Sequence, residues 1–152
     1  MHLNLSAKAT QELSSILGGI LADTYVLYTK TQNFHWNIVD PRFYALHKFL
    51  EEQYEELSEA IDEIAERIRM IGHRAPGSLK QFLALTSLKE ANGEMNAEEM
   101  IQVLTEDHET LIQALREKIR KASDLADEGS ADLLIQRIRA HEKFAWMLRS
   151  HL

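Results

Sequence analysis

The sequence contains no cysteine. Thiolate metal sites, thiol nucleophiles and disulfides are therefore all excluded. Only two prolines and six glycines punctuate 152 residues, so little interrupts long helices. No apolar run approaches the ~18 residues that a membrane helix needs. The opening MHLNLSAKAT has neither the basic start nor the apolar stretch of a secretory signal, so a cytoplasmic protein is expected. Positive charge is scarce: 17 Lys and Arg stand against 24 Asp and Glu, for a net charge of -7, and Lys8 is the only basic residue before Lys30. Neither end carries a basic tail; the chain closes on MLRSHL. Nucleic-acid binding leaves a basic footprint that is missing here, so DNA binding is disfavoured and cations are the favoured partners.

The chain holds 45% hydrophobic and 27% charged residues, the balance of one globular domain spanning residues 1–152. Period-two alternation is nowhere sustained, whereas four long segments show helical period. The first runs from about Ser6 to Asn37, with Leu13, Ile16, Leu17, Ile20, Leu21, Thr24, Leu27 and Tyr28 on one stripe. Gly18-Gly19 inside it predicts a close helix contact. The second is expected to open with Asp40 as N-cap and Pro41 at the first helical position, and to end at Ile71 with Gly72 as C-cap. A short helix is expected near Ser78–Thr86 within a long connection. Asn96 is expected to cap the third long helix and Ser130 the fourth. These elements predict an all-α, ferritin-like four-helix bundle with a short extra helix in its central crossover.

Residues 51–66, EEQYEELSEAIDEIAE, hold eight carboxylates and no Lys or Arg. Like charges at i,i+4 destabilise a helix, so compensation is expected; most of these acids read as a solvated face, and a few by their spacing as something more. His47, Glu51, Asp62 and Glu66 follow one another at steps of 4, 11 and 4, which places all four on one helix face. His47 and Asp62 nevertheless lie roughly 22 Å apart along a continuous helix and cannot share a metal within one chain. An antiparallel copy about a two-fold axis resolves this, because one register sets 47 opposite 66 and 51 opposite 62. Two equivalent His/carboxylate sites at a dimer interface are inferred. His35, six residues before the turn at Pro41 as His47 is six after, becomes a neighbour of His47 in a helical hairpin. Two imidazoles with two or three carboxylates suit iron(II) or another borderline divalent ion. No Glu has His three residues later, so the Glu-x-x-His pattern of intrasubunit di-iron bundles is absent.

FHWN, LHKFLEEQYEEL, IDEIAERI and the C-terminal FAWML resemble the Dps family, miniferritins named as DNA-binding proteins from starved cells. The likeness runs from about residue 13 to the C-terminus. It implies a hollow dodecamer built from two-fold dimers. In such a shell Fe(II) is oxidised, preferentially by hydrogen peroxide, and Fe(III) is stored as mineral, which protects against oxidative damage. By position, His35 and His47 of one subunit and Asp62 and Glu66 of its partner would form the ferroxidase centre. Glu51 would be a further metal ligand, standing where the family commonly has Asp. Trp36, beside His35, is a candidate radical quencher, with interface packing as its alternative role. Asp127, Glu128 and Asp132 are candidates for an acidic three-fold pore; the alternative is capping and turn formation. His108 and His141 read as packing histidines, His2 and His151 as terminal, and His73 as a helix-end residue. The other reading of the resemblance is a DNA-binding, nucleoid-protecting protein in which iron oxidation is secondary.

Overall fold

The computed structural model describes residues 3–91 and 93–152; His2 lies outside them. Five helices follow in order: α1 (Ala7–Asn37), α2 (Phe43–Met70), α3 (Leu79–Leu85), α4 (Ala97–Asp124) and α5 (Glu128–Arg149). No strand occurs among the described residues, and no helix there is long and apolar enough to cross a membrane.

Helix α1 packs along α2, and α4 along α5; α3 lies against α1. Two contacts fix the direction of α4. Lys30 pairs with Asp107 at 2.7 Å, while a methyl placed on Gly19 would lie 3.5 Å from Lys118 Nζ. Residue numbers rise on one helix as they fall on the other, so α1 and α4 are antiparallel. Helices α2 and α4 therefore run the same way, and the chain between them must travel back along the bundle. Residues 71–96 make that crossover, as expected from the long connection.

Cap chemistry sets most of the boundaries. Ser6, Ser78 and Asn96 each accept a hydrogen bond from the backbone three residues on, and Gln81 and Glu99 complete capping boxes at the last two. Gly72 adopts φ +94, and His73 N–H reaches back to the Ile68 carbonyl; the left-handed turn that ends α2 suits glycine. Two expected starts are corrected. The Asp40 carboxylate accepts from the Arg42 N–H at 2.7 Å, making a turn at Pro41-Arg42. Arg42, not Asp40, is then the N-cap of α2. At α5 the cap is Asp127 rather than Ser130, because Asp127 accepts from the Ser130 N–H at 3.3 Å. The glycine pair shows no unusually close approach, since a Cβ on Gly18 would meet Pro76 at 4.0 Å.

Two apolar clusters fill the bundle. One gathers Leu13, Leu17, Ile64, Ile68, Leu115 and Leu134; the other gathers Phe34, Leu46, Leu50, Leu57, Leu104 and Leu111. Buried polar side chains sit near their junction: Thr24, Gln53, His108, Arg137 and His141. Arg137 pairs with Glu56 across α5 and α2. His108 and His141 are wholly buried, with their Nδ1 atoms 2.9 Å apart. One Nδ1 must donate and the other accept, so the contact exists only while one ring nitrogen in it lacks a proton. They are packing histidines, yet each Nε2 is left without a protein partner. Burial pushes His108 down to about 3, and burial lowers His141 well below its ordinary value, with the Arg137 charge adding to both.

The sign of the resulting pH dependence is fixed. The unfolded rings bind protons below about pH 6.5, whereas the folded rings refuse them until far lower. The stability conferred by the neutral pair is complete above that value and is lost as pH falls toward 3. Denaturation midpoints measured from pH 7 to pH 4 should fall, and His108→Gln should flatten the dependence; an unchanged slope would contradict it.

Candidate metal centre

His35 and His47 sit on either side of the α1–α2 turn and face each other. Their rings stack at 3.8 Å between centroids and 12° between planes. His35 Nδ1 lies 2.8 Å from the His47 carbonyl, and His47 Nδ1 lies 2.8 Å from the His35 carbonyl. A carbonyl only accepts, so each Nδ1 must carry the proton. In the neutral rings each Nε2 then keeps its lone pair, the state a metal ligand requires. Backbone carbonyls thus set both tautomers, as they commonly do for metal-binding histidines.

The carboxylates are distributed as the helix dictates. Glu51, one turn after His47, is half-buried; its carboxylate accepts from Lys48 Nζ at 2.8 Å. That hydrogen bond lowers the Glu51 pKa, with smaller contributions from the charges of Lys48, His35 and His47. Asp62 and Glu66 are exposed on the same helix, farther along. Among the described residues no group of three or more His, Asp or Glu side chains within one chain is placed to hold a metal.

Four large side chains near the histidines are exposed: Trp36 at 64%, Val39 at 86%, Tyr44 at 72% and Phe43 at 43%. Phe43 also stacks on His47 at 4.9 Å. An apolar patch of this kind around two pinned imidazoles is the mark of a contact surface.

Tyr54 was not singled out from sequence, although it follows His47 by two helical turns. Its ring meets His35 edge-on at 5.1 Å, and desolvation, aided by Glu51 and Glu55, raises its pKa. The seven-residue step was the available signal. Of the pore candidates, Glu128 and Asp132 are exposed. Asp127 is buried, caps α5 and accepts from Arg67 Nη2 at 2.7 Å.

A protein-family model described as a ferritin-like domain matches residues 15–152. "DNA protection during starvation protein 2" of Bacillus anthracis is 38% identical over 142 residues, covering 93% of this chain and 97% of that one. The chain belongs to the Dps family of ferritin-like proteins. The crystal structure of a Dps protein from Bacillus brevis superposes with a TM-score of 0.93 at 35% identity, covering 97% of this chain and 99% of that one. A Dps protein from Vibrio cholerae, described as a member of a broad superfamily of ferritin-like diiron-carboxylate proteins, gives 0.91 at 33% identity, covering 96% and 92%. The all-α, ferritin-like fold expected from sequence is thereby established for this chain.

Lys48 would compete with a cation for Glu51. Lys48→Met should raise the affinity for a divalent metal, by less than about fivefold since such surface pairs are weak. Calorimetric titration with Co(II) measures this; a lowered affinity would contradict it.

Proposed function

We propose that this Dps-family protein is a ferroxidase and iron store. The reciprocal His35/His47 hydrogen bonds carry this reading, because they occupy both Nδ1 atoms and leave both Nε2 lone pairs free for a metal, beside exposed apolar side chains. Each chain supplies two imidazoles at one end of α2 and two exposed acids, Asp62 and Glu66, at the other. A two-fold partner completes both sites, and Glu51 joins the set if released from Lys48. Iron is the substrate. Imidazole and carboxylate together bind Fe(II), and the carboxylates favour the more charged Fe(III). The diiron-carboxylate superfamily of the Vibrio cholerae relative supports that donor set.

His35 and His47 orient iron, and the apolar rim limits water access. Hydrogen peroxide accepts two electrons: two Fe(II), one peroxide and two protons give two Fe(III) and two waters. Pairing two electron donors avoids release of hydroxyl radical. Trp36 stands at the rim as a one-electron donor. In this reading Fe(III) mineral accumulates inside a hollow dodecamer in the cytoplasm. Fe(II) is concentrated at acidic pores, with Glu128 and Asp132 exposed to attract it and Asp127 holding the loop.

The Bacillus anthracis relative's name concerns DNA protection. With a net charge of -7, this chain is proposed to protect by removing Fe(II) and peroxide, not by coating DNA. A gel shift at ~50 mM salt, where electrostatic binding is strong, should show no retarded band; a clear shift would favour the DNA-binding reading.

Mixed subunits test the site. His35→Ala with His47→Ala abolishes one half, and Asp62→Ala with Glu66→Ala the other. Each variant alone should oxidise Fe(II) very slowly. In a hybrid dimer one site pairs intact histidines with intact acids, so activity should return to about half of wild type per dimer. Hybrids as inactive as their parents would reject the shared site.

A further inference from the structure

We propose that Tyr54, Tyr28 and Tyr25 form a relay that carries an oxidising equivalent away from the iron site into α1. The proposal rests on the ferroxidase reading above and adds to it a fate for the unpaired electron deficit. The chain has four tyrosines in all, and three of them make one unbroken series. His35 meets Tyr54 at 5.1 Å, Tyr54 meets Tyr28 at 6.1 Å, and Tyr28 meets Tyr25 at 5.8 Å, all edge-to-face. Tyr25 then stacks on Phe82 at 4.4 Å and 17°. Phe82 lacks a phenol and is far harder to oxidise, so the series ends at Tyr25.

Edge-to-face packing explains the rings but not the hydroxyls. Among the described residues neither the Tyr54 nor the Tyr25 hydroxyl has a hydrogen-bond partner, and that of Tyr28 accepts only a 3.4 Å bond from Gln32. Phenylalanine would pack as well at all three positions. What the phenol adds is an accessible one-electron oxidation. All three residues are half-buried, which partly shields a phenoxyl radical from solvent reactions. Trp36 differs: it is 64% exposed and, among the described residues, makes no ring contact with His35.

The relay is needed when peroxide meets a site holding one Fe(II). Fe(II), hydrogen peroxide and a proton then give Fe(III), water and hydroxyl radical. Tyr54 donates an electron and its phenolic proton to that radical, which leaves as a second water. Tyr28 next gives an electron to the Tyr54 phenoxyl, which takes a proton from solvent as Tyr28 releases its own to solvent, and Tyr25 does the same for Tyr28. A later Fe(II) and a proton restore the phenol, with that iron becoming Fe(III). The sum is again two Fe(II), one peroxide and two protons to two Fe(III) and two waters.

The test uses the full-length assembled protein, loaded anaerobically with less than one Fe(II) per site and mixed with hydrogen peroxide. Freeze-quenched electron paramagnetic resonance reads the radical, and absorbance of Fe(III) is recorded on the same samples. The wild type should show a tyrosyl signal from more than one ring environment, and Trp36→Phe should keep it. Tyr54→Phe should lose it and should release more spin-trapped hydroxyl radical. Tyr28→Phe leaves the His35 contact alone and should collapse the signal to a single environment. A tryptophan signal alone, or a tyrosyl signal unchanged in both tyrosine variants, would overturn the relay while iron oxidation still stood. A wild type that oxidises no iron would overturn the ferroxidase reading, and the relay with it.

Discussion

Two imidazoles each give a proton to the backbone carbonyl of the other, across a short helix–helix turn. This reciprocal contact ties the end of α1 to the start of α2. It also determines which nitrogen of each ring remains basic. Without it the rings would be free to rotate and to exchange tautomers, and the binding of a cation would have to bear the cost of ordering them. Preorganisation here comes from main chain, which substitution of neighbouring side chains does not remove.

The rest of the bundle holds that turn in place. Apolar side chains from all four long helices fill both ends of the interior. Where the two clusters meet, the protein tolerates a half-buried ion pair and a pair of neutral histidines. Such groups give little net stability, but leaving one of them unpaired is costly. At the far end of α2, Arg67 reaches Asp127 and Ser130 and fixes the start of α5. A methyl on Gly129 would lie 2.7 Å from the Arg67 guanidinium, so that corner admits only glycine without a shift.

Much of this was legible in the sequence because helices advertise themselves through period and caps. Asn96 and Ser78 cap as their positions suggest, and Gly72 terminates α2. Asp40 and Ser130 misled for one reason: each lies within reach of a competing arrangement. Asp40 satisfies a turn instead of a helix, and Asp127 reaches the Ser130 N–H first. The proximity of His35 and His47 followed from symmetric spacing about Pro41, but the exchange of carbonyl bonds did not, since it depends on the exact hairpin geometry. Tyr54 escaped notice because an aromatic on an acidic helix looks like an isolated contact until the facing helix is in place. In the proposed dimer Asp62 and Glu66 face a partner chain, and a single chain displays only their shared face.

Helix α2 is one continuous rod of 28 residues, with imidazole at one end and the paired acids toward the other. In the proposed dimer it works as a ruler. Inserting or deleting a single residue between positions 51 and 62 would slide the acids by about 1.5 Å and swing them through about 100°. Because the rod would face its own copy, the error would be made twice, once at each end. Gene-length variation should therefore be confined to the crossover and the termini, while the span from His47 to Glu66 keeps a constant number of residues.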